Sequence, residues 1–115
     1  MRIIEKTISI AELREMAENM FGNLVKAVVD VRLCLIAMDA ELHSDEEAVL
    51  LDNGSQQADL WGINLYPEHT PEDADFIEFD SMINLRPSQG NRSRGVDSIE
   101  IRQMITDIVR KAVVQ

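Results

Sequence analysis

The sequence contains few of the residues that mark specialised classes of protein. It has one cysteine, three prolines, one tryptophan and one tyrosine in 115 residues. A single cysteine, Cys34, cannot form an internal disulfide, which excludes a disulfide-stapled secreted domain. No apolar run approaches the 18 or so residues of a membrane span, and the start MRIIEKTISI lacks the apolar block of a signal peptide. We therefore expect a cytoplasmic protein without a membrane partner.

Basic residues are missing from one long stretch of the chain. The 53 residues between Arg32 and Arg86 contain no lysine or arginine but hold 13 of the 21 acids. The formal net charge of the whole chain is -10. Nucleic-acid binding depends on basic charge that displaces counterions from phosphates, so this composition argues against a nucleic-acid partner. The 45% of apolar and 28% of charged residues are typical of a globular protein, and we expect one domain spanning residues 1–115.

Three segments carry a helix-start pattern, a capping residue followed three positions later by glutamate. Ser9 with Glu12 predicts a helix from about Ile10 to Phe21, and Ser44 with Glu47 predicts a short helix that ends at Asn53 and Gly54. Asp97 with Glu100 predicts the last helix, whose apolar stripe runs from Ile101 to Ala112. Cys34 lies in the apolar run VRLCLIAM, where we expect it to be buried and reduced.

The intervening segments alternate with the period of a β-strand. The predicted strands are Ile3 to Thr7, Val25 to Val29, Cys34 to Leu42, Trp61 to Tyr66 and Phe76 to Arg86. The resulting order, β-α-β-β-α-β-β-α, predicts an α+β two-layer sandwich. We expect a mainly antiparallel sheet of about five strands with three helices on one face.

Alternation along the predicted strands also assigns an outward, polar sheet face. The residues expected there are Asp39, Glu41, His43, Asn64, Tyr66, Glu78, Asp80, Asn84 and Arg86. This polar face, bordered by the basic loop that follows it, is the surface on which we expect the function.

Several segments together resemble a small bacterial family, a domain of unknown function. They are AELHSDEE, LWGINLYPE, FIEFDSMINLRPSQGNRSRGV and the helix that follows, spread over most of the chain from Val25 onward. The resemblance implies a self-contained bacterial domain and brings no activity, cofactor or partner with it.

The loop RPSQGNRSRG has three arginines and no acid. A glycine-containing loop that leads into a helix can aim backbone amides at an anion, and arginine adds bidentate donors. The candidate anion-binding residues are Arg86, Ser88, Gln89, Gly90, Asn91, Arg92, Ser93 and Arg94. The loop matches neither a Walker loop nor a dinucleotide-binding pattern. Salt bridges to the acids of the same chain explain its arginines equally well.

Candidate catalytic groups are His43, Glu41, Glu78 and Asp80. A histidine near carboxylates could move a proton near neutral pH, or hold a divalent metal together with Asp39 and Glu41. No metal-binding motif is present, and acids are also usual at a helix N-terminus, so we assign no metal and no cofactor.

Two functions fit this pattern. The first is a binding or regulatory module in which the polar face and the arginine loop hold an anionic small molecule or a partner chain, including a second copy of the protein in a homodimer. The second is a small hydrolase or transferase that acts on a phosphorylated or carboxylated compound. We favour the binding module, because the sequence has no nucleophile motif and no standard phosphate loop.

Overall fold

The computed structural model describes the whole chain, residues 1–115. The elements in chain order are β1 (Arg2–Ile4), β2 (Ile8–Ser9), α1 (Ile10–Asn19), β3 (Val25–Asp30), β4 (Leu35–Met38), α2 (His43–Asp52), β5 (Leu60–Leu65), β6 (Ile77–Glu78), α3 (Ile99–Ala112) and β7 (Val113–Val114). Short 3-10 helices occur at Gln57–Asp59, Met82–Asn84 and Pro87–Gln89. Five strands form an antiparallel sheet in the order β1-β4-β3-β5-β6, and β2 pairs in parallel with β7. The predicted α+β class and the five-stranded antiparallel sheet are confirmed.

The first helix begins as predicted. The hydroxyl oxygen of Ser9 accepts a hydrogen bond from the amide of Glu12 at 3.1 Å, and the Glu12 carboxylate accepts one from the Ser9 amide at 3.5 Å. This reciprocal pair satisfies two amides that a helix N-terminus otherwise leaves free. At the last helix the capping residue is Ser98 rather than the predicted Asp97, since the Ser98 hydroxyl accepts from the amide of Ile101.

The larger core lies between the sheet and the pair α1 and α3. Alternate residues of β3 and β5 enter it, and both helices direct their apolar stripes toward the same face. Its fully buried side chains include Leu13 of α1, Ala27 and Val29 of β3, Ile63 and Leu65 of β5, and Ile105 and Val109 of α3. None of the helices combines the length and the apolar character that crossing a membrane would require.

Helix α2 packs on the opposite face of the sheet, so the expectation of three helices on one face was wrong. Leu50 of α2 contacts a small separate cluster formed by Val28, Ala37 and Leu60, whose strand neighbours point into the larger core. The apolar contact of α2 with the sheet is confined to this small cluster and the partly buried side chains around it. The architecture therefore has three layers, with α2 over the face that was expected to be open and polar.

The strand predicted from Cys34 to Leu42 is shorter than expected. Cys34 and Asp39 both have left-handed backbone conformations, with φ of 57° and 73°, and the strand lies between them. A left-handed residue breaks the alternation of side chains across a sheet. Asp39, Glu41 and His43 therefore do not share a strand face, and Cys34 is exposed on a turn rather than buried.

The strand predicted from Phe76 to Arg86 is also interrupted. Pairing with β5 stops at Glu78, and the chain then forms two 3-10 helices. The side chain of Asn84 replaces the missing strand: its amide group donates to the Gly62 carbonyl at 2.9 Å, and its carbonyl accepts from the Gly62 amide at 2.8 Å. A primary amide carries the same donor and acceptor as a peptide, so it satisfies the β5 edge as a strand would.

Candidate functional site

Arg86, the first arginine of the basic loop, makes contacts within the protein. Its guanidinium stacks 4.2 Å from the centre of the Trp61 ring. It donates to the carbonyl of Leu60 at 2.6 Å and to that of Gln57. Burial lowers the pKa of Arg86, because a half-buried guanidinium loses hydration. Arg86 thus fixes the loop to β5 and to the segment before it.

The middle of the loop is closed on itself through Asn91. The amide nitrogen of this buried side chain donates to the carbonyls of Asn84, Ser93 and Gly95 at 2.7, 3.1 and 2.8 Å. Its carbonyl accepts from the amide of Asp97 at 2.8 Å. The polar groups of Asn91 are therefore used for the turn.

Asp97 continues this closure. Its carboxylate accepts from the Ser93 hydroxyl at 2.6 Å and from the Arg92 amide at 2.9 Å. These hydrogen bonds, that of Ser93 foremost, lower the pKa of Asp97. The acid expected to cap α3 instead orders the loop before it.

The remaining loop candidates differ in what they contact. Gln89 donates to the carbonyl of Ala58 at 3.2 Å, and Gly90 adopts a left-handed conformation with φ of 84°. The side chains of Ser88 and Arg92 are exposed and form no hydrogen bond or ion pair with the protein. Neither residue lines a cavity.

Arg94 is the one loop arginine that reaches a concave site. Its Nε lies 2.8 Å from Oδ1 of Asp80, and its two terminal nitrogens make no hydrogen bond. It lines a cleft of about 180 Å³ together with Lys26, Leu42, His43, Ser44, Ser81, Met82 and Ile83. Strand β3, the start of α2, the segment after β6 and the basic loop all contribute to this cleft.

Lys26 brings a second cation to the cleft. It lies on the face of β3 that α2 covers, and its ammonium is 5.0 Å from the centre of the Phe21 ring. It forms no ion pair with any carboxylate. With Arg94 partly neutralised by Asp80, the cleft keeps an excess of positive charge in a chain whose net charge is -10.

The start of α2 adds the positive end of a helix dipole. Leu42 occupies the capping position and provides no side-chain hydrogen bond, in contrast to the predicted Ser44 cap. The backbone amides of His43 and Ser44 form no hydrogen bond within the protein. Free amides and the dipole both favour negative charge at this end of a helix.

His43 lies at the first position of α2 with its ring against the sheet. Its Nε2 donates to the carbonyl of Ile63 at 2.8 Å. Burial lowers the pKa of His43, and the charge of Lys26 lowers it further, while the hydrogen bond to Ile63 and the charge of Asp80 act in the other direction. His43 is therefore neutral near pH 7, with the proton on Nε2 and the lone pair on Nδ1.

Glu46 lies one turn after His43 and is completely buried. One carboxyl oxygen accepts from the Ala40 amide at 3.2 Å, and the other has no partner. Burial raises the pKa of Glu46 to about 9, because a charged carboxylate would lose most of its hydration. Glu46 thus holds a proton at neutral pH.

The other acidic candidates lie beside the cleft or away from it. Asp80 reaches it through Arg94, whereas Glu78 accepts from Asn64 and Tyr66, both at 2.9 Å. Burial and this contact with Glu78 raise the pKa of Tyr66. Glu41 is exposed and does not line the cleft.

Asp39, the remaining acid considered for a metal, lies 4.0 Å from the N-terminal amine. No three histidine, cysteine, aspartate or glutamate side chains come together as a group that could hold a metal ion.

A larger cavity of about 490 Å³ lies elsewhere, beside α3. Its walls are mostly apolar, and its rim carries Glu5, Lys6, Asp107 and Lys111. Two acids and two bases leave this rim without a preference for either sign of charge. The smaller cleft is the better candidate for an anion site because its charges are predominantly of one sign.

Sequence reasoning did not single out several residues of the cleft. Lys26 could have been found, because alternation along β3 places it on the same face as Asn64 on the neighbouring strand. Ser44 was assigned to a helix cap, and Ser81 was not among the residues expected on the polar face. The position of Ser81 depends on the break after β6, and that of Ser44 on a helix that already begins at His43.

The fold defines a small α+β domain with a cationic cleft between α2 and the sheet. Residues 2–112 match the model of a family described as a protein of unknown function (DUF5674). The chain belongs to this family. No curated protein and no solved structure matches the chain.

Proposed function

We propose that the protein is a binding module for a small anion, held in the cleft between Lys26 and Arg94. The observation that carries the proposal is the convergence of these two cations, from separate elements, on one cleft of a strongly acidic protein. Lys26 has no carboxylate partner within the protein.

The cleft offers three kinds of donor to an anion. Lys26 provides a point charge, the terminal nitrogens of Arg94 provide a planar pair of N–H groups, and the amides of His43 and Ser44 provide neutral donors at the positive end of α2. Phosphate and carboxylate both match this set. Only part of the predicted loop contributes, since Arg86 and Asn91 are occupied by protein partners.

Isothermal titration with inorganic phosphate, sulfate and acetate tests the proposal. We expect binding to weaken at least tenfold in Lys26→Met and in Arg94→Met, since each removes a charged donor worth roughly 1.5–3 kcal/mol. Arg92→Met is the matched control, because it removes the same charge from an exposed loop position without cleft contacts. No binding to the wild type, or an equal loss in the Arg92 variant, would contradict an anion site in this cleft.

The second candidate is an enzyme, a hydrolase or transferase acting on a phosphorylated or carboxylated small molecule. The observation that favours it is the presence of His43 in the same cleft, since the neutral ring retains a lone pair on Nδ1 that could accept a proton. Asp80 would act as the second charged group near the substrate, through its contact with Arg94.

Turnover of nitrophenyl phosphate and nitrophenyl acetate, measured by absorbance, separates the two candidates. An enzyme should lose turnover in His43→Gln while phosphate still binds, because glutamine can donate to Ile63 but cannot serve as a base. Absence of turnover in a wild-type protein that binds phosphate would leave the binding module.

A further inference from the structure

The cleft is lined by exposed apolar side chains as well as by cations. Leu42 and Met82 both line the cleft, yet they are 53% and 62% exposed. They come from different elements, Leu42 from the start of α2 and Met82 from the 3-10 helix after β6. Single exposed apolar residues are ordinary on a protein surface. Two large ones flanking a cationic cleft form a second, apolar recognition element.

The cleft is large enough to hold only part of a drug-sized ligand. Its volume of about 180 Å³ is below the roughly 300–1,000 Å³ of pockets that enclose drug-sized molecules. A phosphate or carboxylate group fits between Lys26 and Arg94. A larger group attached to it would extend beyond the cleft, where it could contact the exposed side chains of Leu42 and Met82.

We propose that the ligand of this cleft is an amphipathic anion, a phosphate or carboxylate that carries one apolar ring or a short alkyl chain. The proposal rests on the anion-binding function proposed above and adds the chemistry of the part outside the cleft. Apolar contact at the rim contributes affinity in proportion to the surface that it removes from water.

The charge of the protein favours a free small molecule over a membrane lipid as the source of this anion. A chain with a net charge of -10 is repelled by anionic bilayers, which attract basic segments instead. The cationic cleft is local, whereas repulsion from a bilayer acts on the whole surface.

The experiment compares four ligands by isothermal titration: inorganic phosphate, butyl phosphate, phenyl phosphate and phenol. We expect phenyl phosphate to bind about tenfold more tightly than inorganic phosphate, the gain from burying roughly 60 Å² of apolar surface. Phenol should bind more weakly than either phosphate ester, because it lacks the charged group. In the double variant Leu42→Ala and Met82→Ala the ratio of the two affinities, phenyl phosphate against inorganic phosphate, should fall from about tenfold to near one.

Ile99→Ala is the control, since Ile99 is 79% exposed at the start of α3 and does not line the cleft. Circular dichroism checks that the double variant keeps its fold, and the two single variants are used if it does not. Equal affinity for inorganic and phenyl phosphate would overturn the amphipathic ligand and leave the anion site standing. Failure of all three phosphates to bind would remove the anion site itself.

Phenol binding as tightly as phenyl phosphate would show a purely apolar site and overturn the proposal. Cosedimentation with vesicles of anionic lipid, together with failure to bind the free esters, would overturn the assignment to a small molecule.

Discussion

Replacing Glu46 by glutamine should change how the stability of the protein depends on pH. Glu46 is completely buried, and burial raises its pKa to about 9. In the unfolded chain the same carboxyl has a pKa near 4.3. Between these two values the folded protein binds a proton that the unfolded chain has released, so folding must take up a proton.

The sign of the effect follows from this difference. A group whose pKa is raised in the folded state contributes fully to stability below its unfolded pKa, and the contribution is lost as the pH rises toward the folded pKa. One pKa unit corresponds to 1.36 kcal/mol. From pH 5 to pH 7.5 the free energy of unfolding of the wild type should therefore fall by about 3 kcal/mol relative to Glu46→Gln.

Urea unfolding of both proteins at pH 5 and pH 7.5 measures this quantity. Only the difference between the two proteins is compared, so titration of other groups and any constant cost of burying the glutamine amide cancel. Glu41→Gln is the control, because it makes the same change at an exposed position before α2. A difference between wild type and Glu46→Gln that does not vary with pH would refute the reasoning. It would show that Glu46 is ionised in the folded protein, where the charge of Lys26 favours the carboxylate.

Three further predictions concern residues of β5 or in contact with it. A Cβ at position 62 would lie 2.5 Å from Cβ of Ser81, so Gly62→Ala should lower the free energy of unfolding by about 1–3 kcal/mol. Adding Ser81→Gly should recover most of this loss in urea unfolding. No recovery in the double variant would refute the contact. Asn84→Ala leaves the buried amide and carbonyl of Gly62 unpaired and should lower the free energy of unfolding by about 2–4 kcal/mol in the same assay. A loss below about 0.5 kcal/mol, which is typical of a surface substitution, would contradict the bridging role. Because the pKa of His43 is lowered in the folded protein, its contribution to stability is present above about pH 6.5 and lost at lower pH. The free energy of unfolding of His43→Gln should not show this loss. A chemical-shift titration that places the His43 pKa at or above 6.5 would refute the prediction.

Local sequence patterns were sufficient for the parts of the fold whose signals are complete within one segment. The capping box at Ser9 and the apolar stripe of α3 both appear where they were predicted. Strand β3 matches its prediction within one residue, because its β-branched run is buried on both faces.

The errors arise where a tertiary contact overrides the local pattern. The alternation from Phe76 to Arg86 is regular, yet Asn84 is used to bridge β5, and the chain bends to bring it there. The alternation into His43 fails because Asp39 adopts a left-handed conformation that an aspartate tolerates but does not require.

The candidate site was located only in part for the same reason. The sequence indicated His43, Asp80 and Arg94, which lie in or beside the cleft, but the polar face expected to hold His43 and Asp80 is covered by α2. Arg86 and Asn91 appeared equally suited to an anion, and only their contacts within the protein distinguish them from Arg94. Within this loop, only the three-dimensional contacts distinguish the side chains that bind within the protein from the one that lines the cleft, because all of them are polar or charged residues of a similar kind.

The bridge from Asn84 to Gly62 has a consequence for how molecules of this protein meet in solution. Strand β6 covers only two residues of β5, so if the segment that carries Asn84 moved away, the middle of β5 would present unpaired peptide groups to any extended chain nearby. Exposed strand edges of this kind template intermolecular pairing and aggregation. One asparagine side chain occupies the vulnerable position on β5, and the Asn84→Ala variant should accordingly be more prone to aggregate than its loss of stability alone would predict.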